Sequence, residues 1–494
     1  MNARRIVGFL IFVFLIFPFV ALFLHANAVR FPLDNETMRV FGSTALQALI
    51  SACAALSMGI LGGLGLLWGT QRLRYFSWFE GLVILPNAAP VLLFLLAVVK
   101  LFPWARGLSG IVFVHALLNV GLVAVAFQHL VLQKVSGMAE LAYVEGASGW
   151  RFFWQGVLPA LRADLVLLFI FIFALCFASF AVPLALGGSR ATTVEVLIYQ
   201  KIRISGEWPE AIGLAFMQML AVLALAWLLR GRGESAVMAF RKVTTPLLQW
   251  SPGLLIACFP ACLLIFGLVT GIGSGMAQLR ALPELVAEIP ALLAGSLLVG
   301  VMAGLWVMIL LLALSYVRPE GWLARFLSGY AAPSSVLVGF AILIAWREPG
   351  LATYFKIAMG LALVTLPAFY RYQWSATLTA LKGQITVART LGASDSLIFS
   401  RVMFPQVIGA ASRIGGLAAL WAWGDFALSS VVAEKSVTLA MTAQGLMGSY
   451  RLDAATVLIW ILIAGGLLTY GAFLTIGLTI GEGVGNVLDS KSET

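Results

Sequence analysis

Long, almost uncharged apolar runs alternate with short polar stretches along the whole chain. A helix rises about 1.5 Å per residue, so about 20 apolar residues cross the roughly 30 Å of a bilayer's hydrocarbon. By this rule roughly twelve runs are candidate spans. They lie near 6–26, 43–68, 80–101, 110–132, 163–187, 209–229, 252–272, 289–316, 326–346, 350–370, 407–432 and 455–480. The pattern predicts an all-α polytopic membrane protein, because backbone groups in lipid must be satisfied within each helix. The first run follows Arg4 and Arg5 but exceeds the roughly 7–15 apolar residues of a secretory signal. By that length it reads as an uncleaved first helix.

Composition supports the same reading. Of the 494 residues, 61% are hydrophobic and 11% charged, against about 25% charged in soluble domains. No soluble fold of this size has interior enough for so much apolar surface. The net charge of +10 comes largely from basic residues between spans: Arg72 and Arg74, then Arg230, Arg232, Arg241 and Lys242, then Arg371. If every run crosses once, these loops share the side of the N-terminus, which predicts that both termini are cytoplasmic. Topology, rather than a nucleic acid, accounts for the charge. Cys53, Cys176, Cys258 and Cys262 all fall within predicted spans and read as small buried apolar residues. No disulfide framework or metal-ligand spacing appears, and His25, His115 and His129 are the only histidines.

The sequence also repeats. Gly146-Ala147-Ser148 returns as Gly392-Ala393-Ser394, 246 residues later, and Pro159 returns as Pro405. The same shift lays Ser179-Phe180 on Asp425-Phe426, and a nearly equal one lays Ala88-Ala89-Pro90 on Ala331-Ala332-Pro333. Such an offset spans six predicted helices, so the halves are parallel repeats. The division is 1–235 with a loop at 136–160, and 236–494 with a loop at 382–406; the basic stretch near 231–250 is the linker.

Both Gly-Ala-Ser triplets sit in loops with helix–break–helix chemistry. Gly146 and Gly392 can end one helix in a left-handed conformation. Ser148 and Ser394 can cap the next. Trp150, Phe153, Trp154 and Val157 follow at helical spacing. The loops read as two docking knobs, with an interfacial helix lying on the bilayer as the plainer reading.

This pattern resembles the signature loop of binding-protein-dependent ABC importer permeases: Glu-Ala-Ala, three residues, Gly, nine residues, a hydrophobic residue, one residue, Leu-Pro. The first copy supplies Glu140, Ala142, Gly146, Leu158 and Pro159, and the second Ala388, Gly392, Val402, Phe404 and Pro405. Departures are Leu141, Gly156, Thr386, Val387 and Phe404; the second copy lacks the acidic residue. The resemblance implies coupling helices that seat in separate ATPase subunits, a periplasmic solute-binding protein and a bacterial inner-membrane location. The chain carries no Gly-x4-Gly-Lys-Ser/Thr loop, so ATP and Mg are expected on the partner, with no cofactor and no catalytic site in this chain.

Within that family the chain is most similar to the fused thiamine permeases and next to those for ferric iron. The resembling residues are 175–181, Leu186-Gly187-Gly188, 191–195, Ile198-Tyr199-Gln200, Gly424-Asp425-Phe426, Gly448-Ser449-Tyr450-Arg451 and Asp453-Ala454-Ala455. A thiamine-like cation is therefore the expected solute, with ferric iron, polyamine or molybdate as alternatives. Candidate pathway residues are polar or aromatic positions in spans: Asn87, His115, Asn119, Ser179, Trp421 and Asp425. A carboxylate within a span usually faces a cavity or a partner; Asp425 could equally cap a helix break beside Gly424. Asn87, Asn119 and His115 could instead bond neighbouring helices, and Trp421 and Trp423 could pack rather than stack on a cation. Glu195, Glu207 and Glu210 read as a solvated outer loop or a binding-protein contact.

Two other classes remain. A secondary carrier of two six-helix halves has this length, but would use several intramembrane carboxylates, and this chain offers essentially Asp425. An intramembrane enzyme would need a constellation such as His-Glu-x-x-His or Gly-x-Ser-x-Gly, and neither occurs.

Overall fold

The computed structural model describes the chain except residues 1–2, 26–28, 74–75, 189–190, 229–245, 320–322, 325–326, 328–334, 347–349 and 491–494. Every regular element among the described residues is helical. In chain order these are α1 (Ala3–His25), α2 (Asn35–Arg72), α3 (Phe76–Ala88), α4 (Val91–Leu101), α5 (Gly107–Lys134), α6 (Ser136–Val144), α7 (Gly149–Phe152), α8 (Leu158–Phe177), α9 (Ala181–Leu186), α10 (Val194–Arg203), α11 (Trp208–Leu228), α12 (Gly253–Val269), α13 (Ile272–Arg280) and α14 (Pro283–Val317). They continue as α15 (Ser335–Ala345), α16 (Leu351–Phe369), α17 (Ser375–Ala380), α18 (Lys382–Thr390), α19 (Asp395–Leu397), α20 (Phe404–Trp423), α21 (Ala427–Val432), α22 (Leu439–Gly448) and α23 (Leu452–Ser490).

Six helical stretches among the described residues are long and apolar enough to cross a membrane: Asn35–Thr70, Gly107–Lys134, Gly149–Phe177, Pro283–Val317, Leu351–Phe369 and Leu452–Ile480. The bent pairs α3–α4, at 87°, and α12–α13, at 42°, raise the number to eight. The chain is an all-helical polytopic membrane protein, and among the described residues fewer uninterrupted spans meet the length rule than the twelve its sequence suggests. The differences have local causes. The run at 80–101 breaks at Pro90, which has no N–H to give and keeps Ala89 out of the helical region. The runs at 163–187 and 407–432 each stop midway, at Phe177 and Trp423, and resume as α9 and α21. Within 326–346 the continuous helix described is Ser335–Ala345. Ala331-Ala332-Pro333, Arg74, Arg230, Arg232, Arg241, Lys242 and most of the linker lie outside the described residues.

The helices form two compact units that do not follow chain order. One comprises 32–197 and 220–272. Here α2 packs along α5, α8 and α12. Small residues permit the approach: a Cβ on Gly59 would lie 2.4 Å from Val123 Cβ, and one on Gly63 would lie 2.8 Å from the Ala124 carbonyl oxygen. Close backbone approach through small residues is how membrane helices associate when lipid removes the hydrophobic drive. The other unit comprises 1–31, 198–219 and 273–494. In it α20 packs between α14 and α23, and α1 packs on α14 and α15. Ile11 and Leu15 of α1 are buried in that core, and Phe14 stacks on Trp306 at 5.4 Å. The first helix of the chain thus packs with elements of the second repeat, and α12 with elements of the first.

Candidate functional site

The two loops predicted to matter have the same backbone construction. In the first, α6 ends in a reversal at Gly146, whose φ is 75°. Gly146 N–H donates to the Tyr143 carbonyl at 3.0 Å and Ala147 N–H to the Ala142 carbonyl at 2.9 Å. In the second, α18 ends at Gly392, with φ 78°. Gly392 N–H donates to Arg389 at 2.9 Å and Ala393 N–H to Ala388 at 3.1 Å. Ser148 Oγ then accepts from Arg151 N–H at 3.4 Å, and Ser394 Oγ from Leu397 N–H at 3.3 Å. These bonds satisfy helix ends that would otherwise be left with unpaired carbonyls and amides.

Each loop next passes through a π-helical turn, Phe153–Val157 or Ile398–Met403. The helix behind it opens with Pro159 or Pro405 in its first turn. Proline clashes with the carbonyl four residues back, and the wider turn admits it by slipping the bonding register to five: Leu158 N–H donates to Phe153 and Phe404 N–H to Phe399. Glu140 and Ala142 are half-buried on α6, and Ala142 packs on the core around Val135 and Phe152. Ala388 takes the matching place on α18, against the core of its own unit. Beyond these anchors the loops present bare apolar side chains: Leu141, Val144, Trp150 and Trp154 on the first, Val387, Leu391 and Leu397 on the second. Val144 is 83% exposed and Leu391 81%, more than packing within the fold explains. Apolar surface gathered on a small projection marks a contact for another protein or for a membrane.

The loops differ in how they are tied down. Gly149 of the first lies so close to the Leu247 carbonyl oxygen that a Cβ would approach to 2.5 Å. Its counterpart, Asp395, instead receives a hydrogen bond from Arg318, which is 7% exposed at the end of α14. Arg389 Nη2 lies 3.8 Å from the same Asp395 oxygen. Arg4 of α1 donates to the Val317 carbonyl and, at 2.8 Å, to that of Arg318. Burial alone would raise the Asp395 carboxyl, but the Arg318 hydrogen bond and the charges of Arg318, Arg4 and Arg389 outweigh it and hold it below its ordinary range. So the second loop, which has Thr386 where the first has Glu140, carries a different acid beyond the glycine reversal, at the start of the next helix. Nothing in the sequence joins residues 77 apart; the faint signal was an acid beside the cap at Ser394.

The predicted pathway residues separate into two groups. Asn87, His115, Asn119 and Ser179 come together on the wall of one cavity in the unit containing 32–197. Asn87 Nδ2 also donates to the Leu118 carbonyl at 3.0 Å, and Asn119 Nδ2 to that of His115 at 2.8 Å. Trp421 and Asp425 belong to the other unit and do not line that cavity. Trp421 stacks on Phe369 at 5.1 Å. The Asp425 carboxylate accepts from Leu428 N–H at 3.4 Å, Ser429 N–H at 3.0 Å and Ser429 Oγ at 3.1 Å; it caps α21. Trp423 is buried, with Nε1 donating to Thr469 at 3.0 Å. The acidic residues of the expected outer loop are not simply solvated. Glu195 is fully buried, and Lys201 donates to Glu207 and, at 2.8 Å, to Glu210. Polar span residues not picked out from the sequence, although span position alone marks them, include Gln47, fully buried beside His115, and Lys356, 2% exposed, with Nζ 5.6 Å from the Trp346 ring centre. Among the described residues no three His, Cys, Asp or Glu side chains gather as a metal site would require.

Fold and loops together define a helical membrane protein with an internal repeat and paired projecting loops. Over 127 residues it is 37% identical to the Thiamine transport system permease protein ThiP of Salmonella typhimurium, covering 25% of this chain and 23% of that one. The corresponding protein of Escherichia coli is 36% identical over 127 residues, with the same coverage. That of Brucella abortus is 30% identical over 155 residues, 30% of this chain and 28% of the relative. The chain thus spans about a quarter of the length of the curated relatives it matches. No family model matches the chain, and no solved structure does.

Proposed function

We propose that this chain is the permease subunit of an ATP-driven importer of the bacterial inner membrane, and that its solute is thiamine or a thiamine phosphate. The paired loops carry the proposal: two copies of one capped, glycine-reversed, apolar-tipped projection are what two ATPase subunits would need to grip one permease. Both termini and both loops are assigned to the cytoplasm by the charge rule. The chain serves transport and not catalysis, with ATP and Mg on the separate ATPase. The sequence halves 1–235 and 236–494 supply one loop each. ATP binding would draw the loops together and open the outer mouth to a loaded periplasmic binding protein, and hydrolysis would reset the pathway inward. Similarity to thiamine permeases favours thiamine over ferric iron, polyamine or molybdate, and paired docking loops are superfluous to a secondary carrier.

The test is solute-stimulated ATPase activity of the chain reconstituted with its co-purifying ATPase and binding protein. Stimulation by thiamine and not by ferric iron is expected. Stimulation by iron alone would keep the importer and move the solute; no associated ATPase at all would overturn the reading.

A further inference from the structure

His115 is 3% exposed, on α5 and at the wall of a cavity of about 150 Å³. A cavity of about that size can hold a benzene-sized ring. Neighbouring wall residues are Asn87 at the α3–α4 break, Asn119, Cys176, Ser179 and Val182.

Hydrogen bonding fixes the ring's tautomer. Gln47 Nε2 lies 3.0 Å from the Cys176 carbonyl oxygen, which can only accept, so this end of the amide is the donor. The other end, Oε1, lies 3.2 Å from His115 Nδ1. Nδ1 therefore carries the hydrogen, and Nε2 of the neutral ring presents a lone pair. Nε2 is buried with no hydrogen-bond partner among the described residues. Gln47 is not among the residues that line the cavity, and the unmet acceptor Nε2 is the ring nitrogen that Gln47 does not bond. Asn87 and Asn119 turn their amide nitrogens to backbone carbonyls, which directs their oxygens elsewhere. Among the described residues no charged side chain lines the cavity. The wall thus offers acceptors to a ring that brings N–H groups, and no hard oxyanion cage for a ferric ion.

We propose that this cavity binds one nitrogen-heterocyclic ring of the transported solute, with an exocyclic amine donating to His115 Nε2. Resting on the function proposed above, that ring is the aminopyrimidine of thiamine.

The experiment compares uptake of thiamine with uptake of oxythiamine, in which a carbonyl oxygen replaces the ring amine, by the complete reconstituted complex. The same binding protein serves every variant, so its own preference cancels between them. His115→Leu is expected to reduce the preference for thiamine on the order of tenfold, the usual effect of one buried hydrogen bond, while His115→Gln, which keeps an acceptor, retains part of it. Co-purification with the ATPase controls for assembly. An unchanged preference in an assembled His115→Leu complex would overturn the proposal. Ser179→Leu fills the cavity from another wall and is expected to lower thiamine uptake by a similar factor; undiminished uptake there would overturn it independently. Failure of the unaltered complex to take up thiamine would sink the thiamine assignment, and this site with it, while an associated ATPase would keep the importer.

Discussion

Asp425 carries a charge-capable group inside an apolar segment, and its surroundings explain how. Three donors from Leu428 and Ser429 converge on its carboxylate, the geometry of a helix cap. Asp425→Ala is therefore expected to destabilise the protein by about 1 kcal/mol, seen as a lower melting temperature in detergent, with Asp425→Asn close to the native value. A large loss of uptake in a stable Asp425→Asn protein would instead assign the charge to solute recognition. Asp395 is the contrary case, a carboxylate that needs its charge. Its pKa is depressed in the folded protein, so the stability it adds is present above its unfolded value of about 3.9 and fades as pH falls through the lower folded value. Asp395→Ala leaves Arg318 buried without this acceptor and is expected to cost roughly 1.5–3 kcal/mol at neutral pH. The deficit relative to the native chain should persist down to about pH 4 and shrink only below it; a deficit independent of acid would show that the ion pair is not its source.

At the scale of elements, the repeat was written in small residues and broken by prolines. Gly146 and Gly392 were legible because a helix followed by glycine and a capping serine has few other meanings, and both adopt the left-handed backbone anticipated for them. The π-helical turns ahead of Pro159 and Pro405 were not legible, since a one-residue slip in hydrogen bonding leaves the apolar pattern almost unchanged. The same limit hid the stops at Phe177 and Trp423: an apolar run shows where lipid is tolerated, not where the helix pauses inside it. Asn87, His115, Asn119 and Ser179 could be picked out as polar residues in spans, but only packing shows that they share a wall. The glycine reversals make a direct test of the loops. Proline is locked near φ −65°, so Gly146→Pro with Gly392→Pro cannot keep either turn. The double variant is expected to lose ATPase co-purification while its helical content survives; intact assembly and uptake would dismiss the loops as docking elements.

Over the whole molecule, chain order and packing order part company. The repeat offset divides the sequence near the linker, yet α1 packs with elements of the second repeat and α12 with those of the first. Periodicity could not reveal this, because an apolar helix is equally soluble against any apolar partner in a membrane. What decides is shape. A Cβ on Gly8 would come 3.2 Å from Val317, and one on Gly267 would meet Ala97 Cβ at 2.5 Å, so each of these helices fits its neighbour through a position without a side chain. Arg4 adds a polar tie from α1 to the end of α14, next to the residue that holds Asp395. The second loop is then steadied by the beginning of the chain. The second half is therefore expected to need α1 to hold its structure. A chain cut within 229–245 and produced as two co-expressed pieces should assemble and keep ATPase binding, since the cut falls between the two sequence repeats. The piece from 246 onward, produced alone, lacks α1 and should be degraded or aggregate. Adding residues 1–31 as a separate membrane peptide should raise its yield. Equal yield of the lone piece with and without that peptide would show that α1 contributes nothing essential to the packing around α14 and α15.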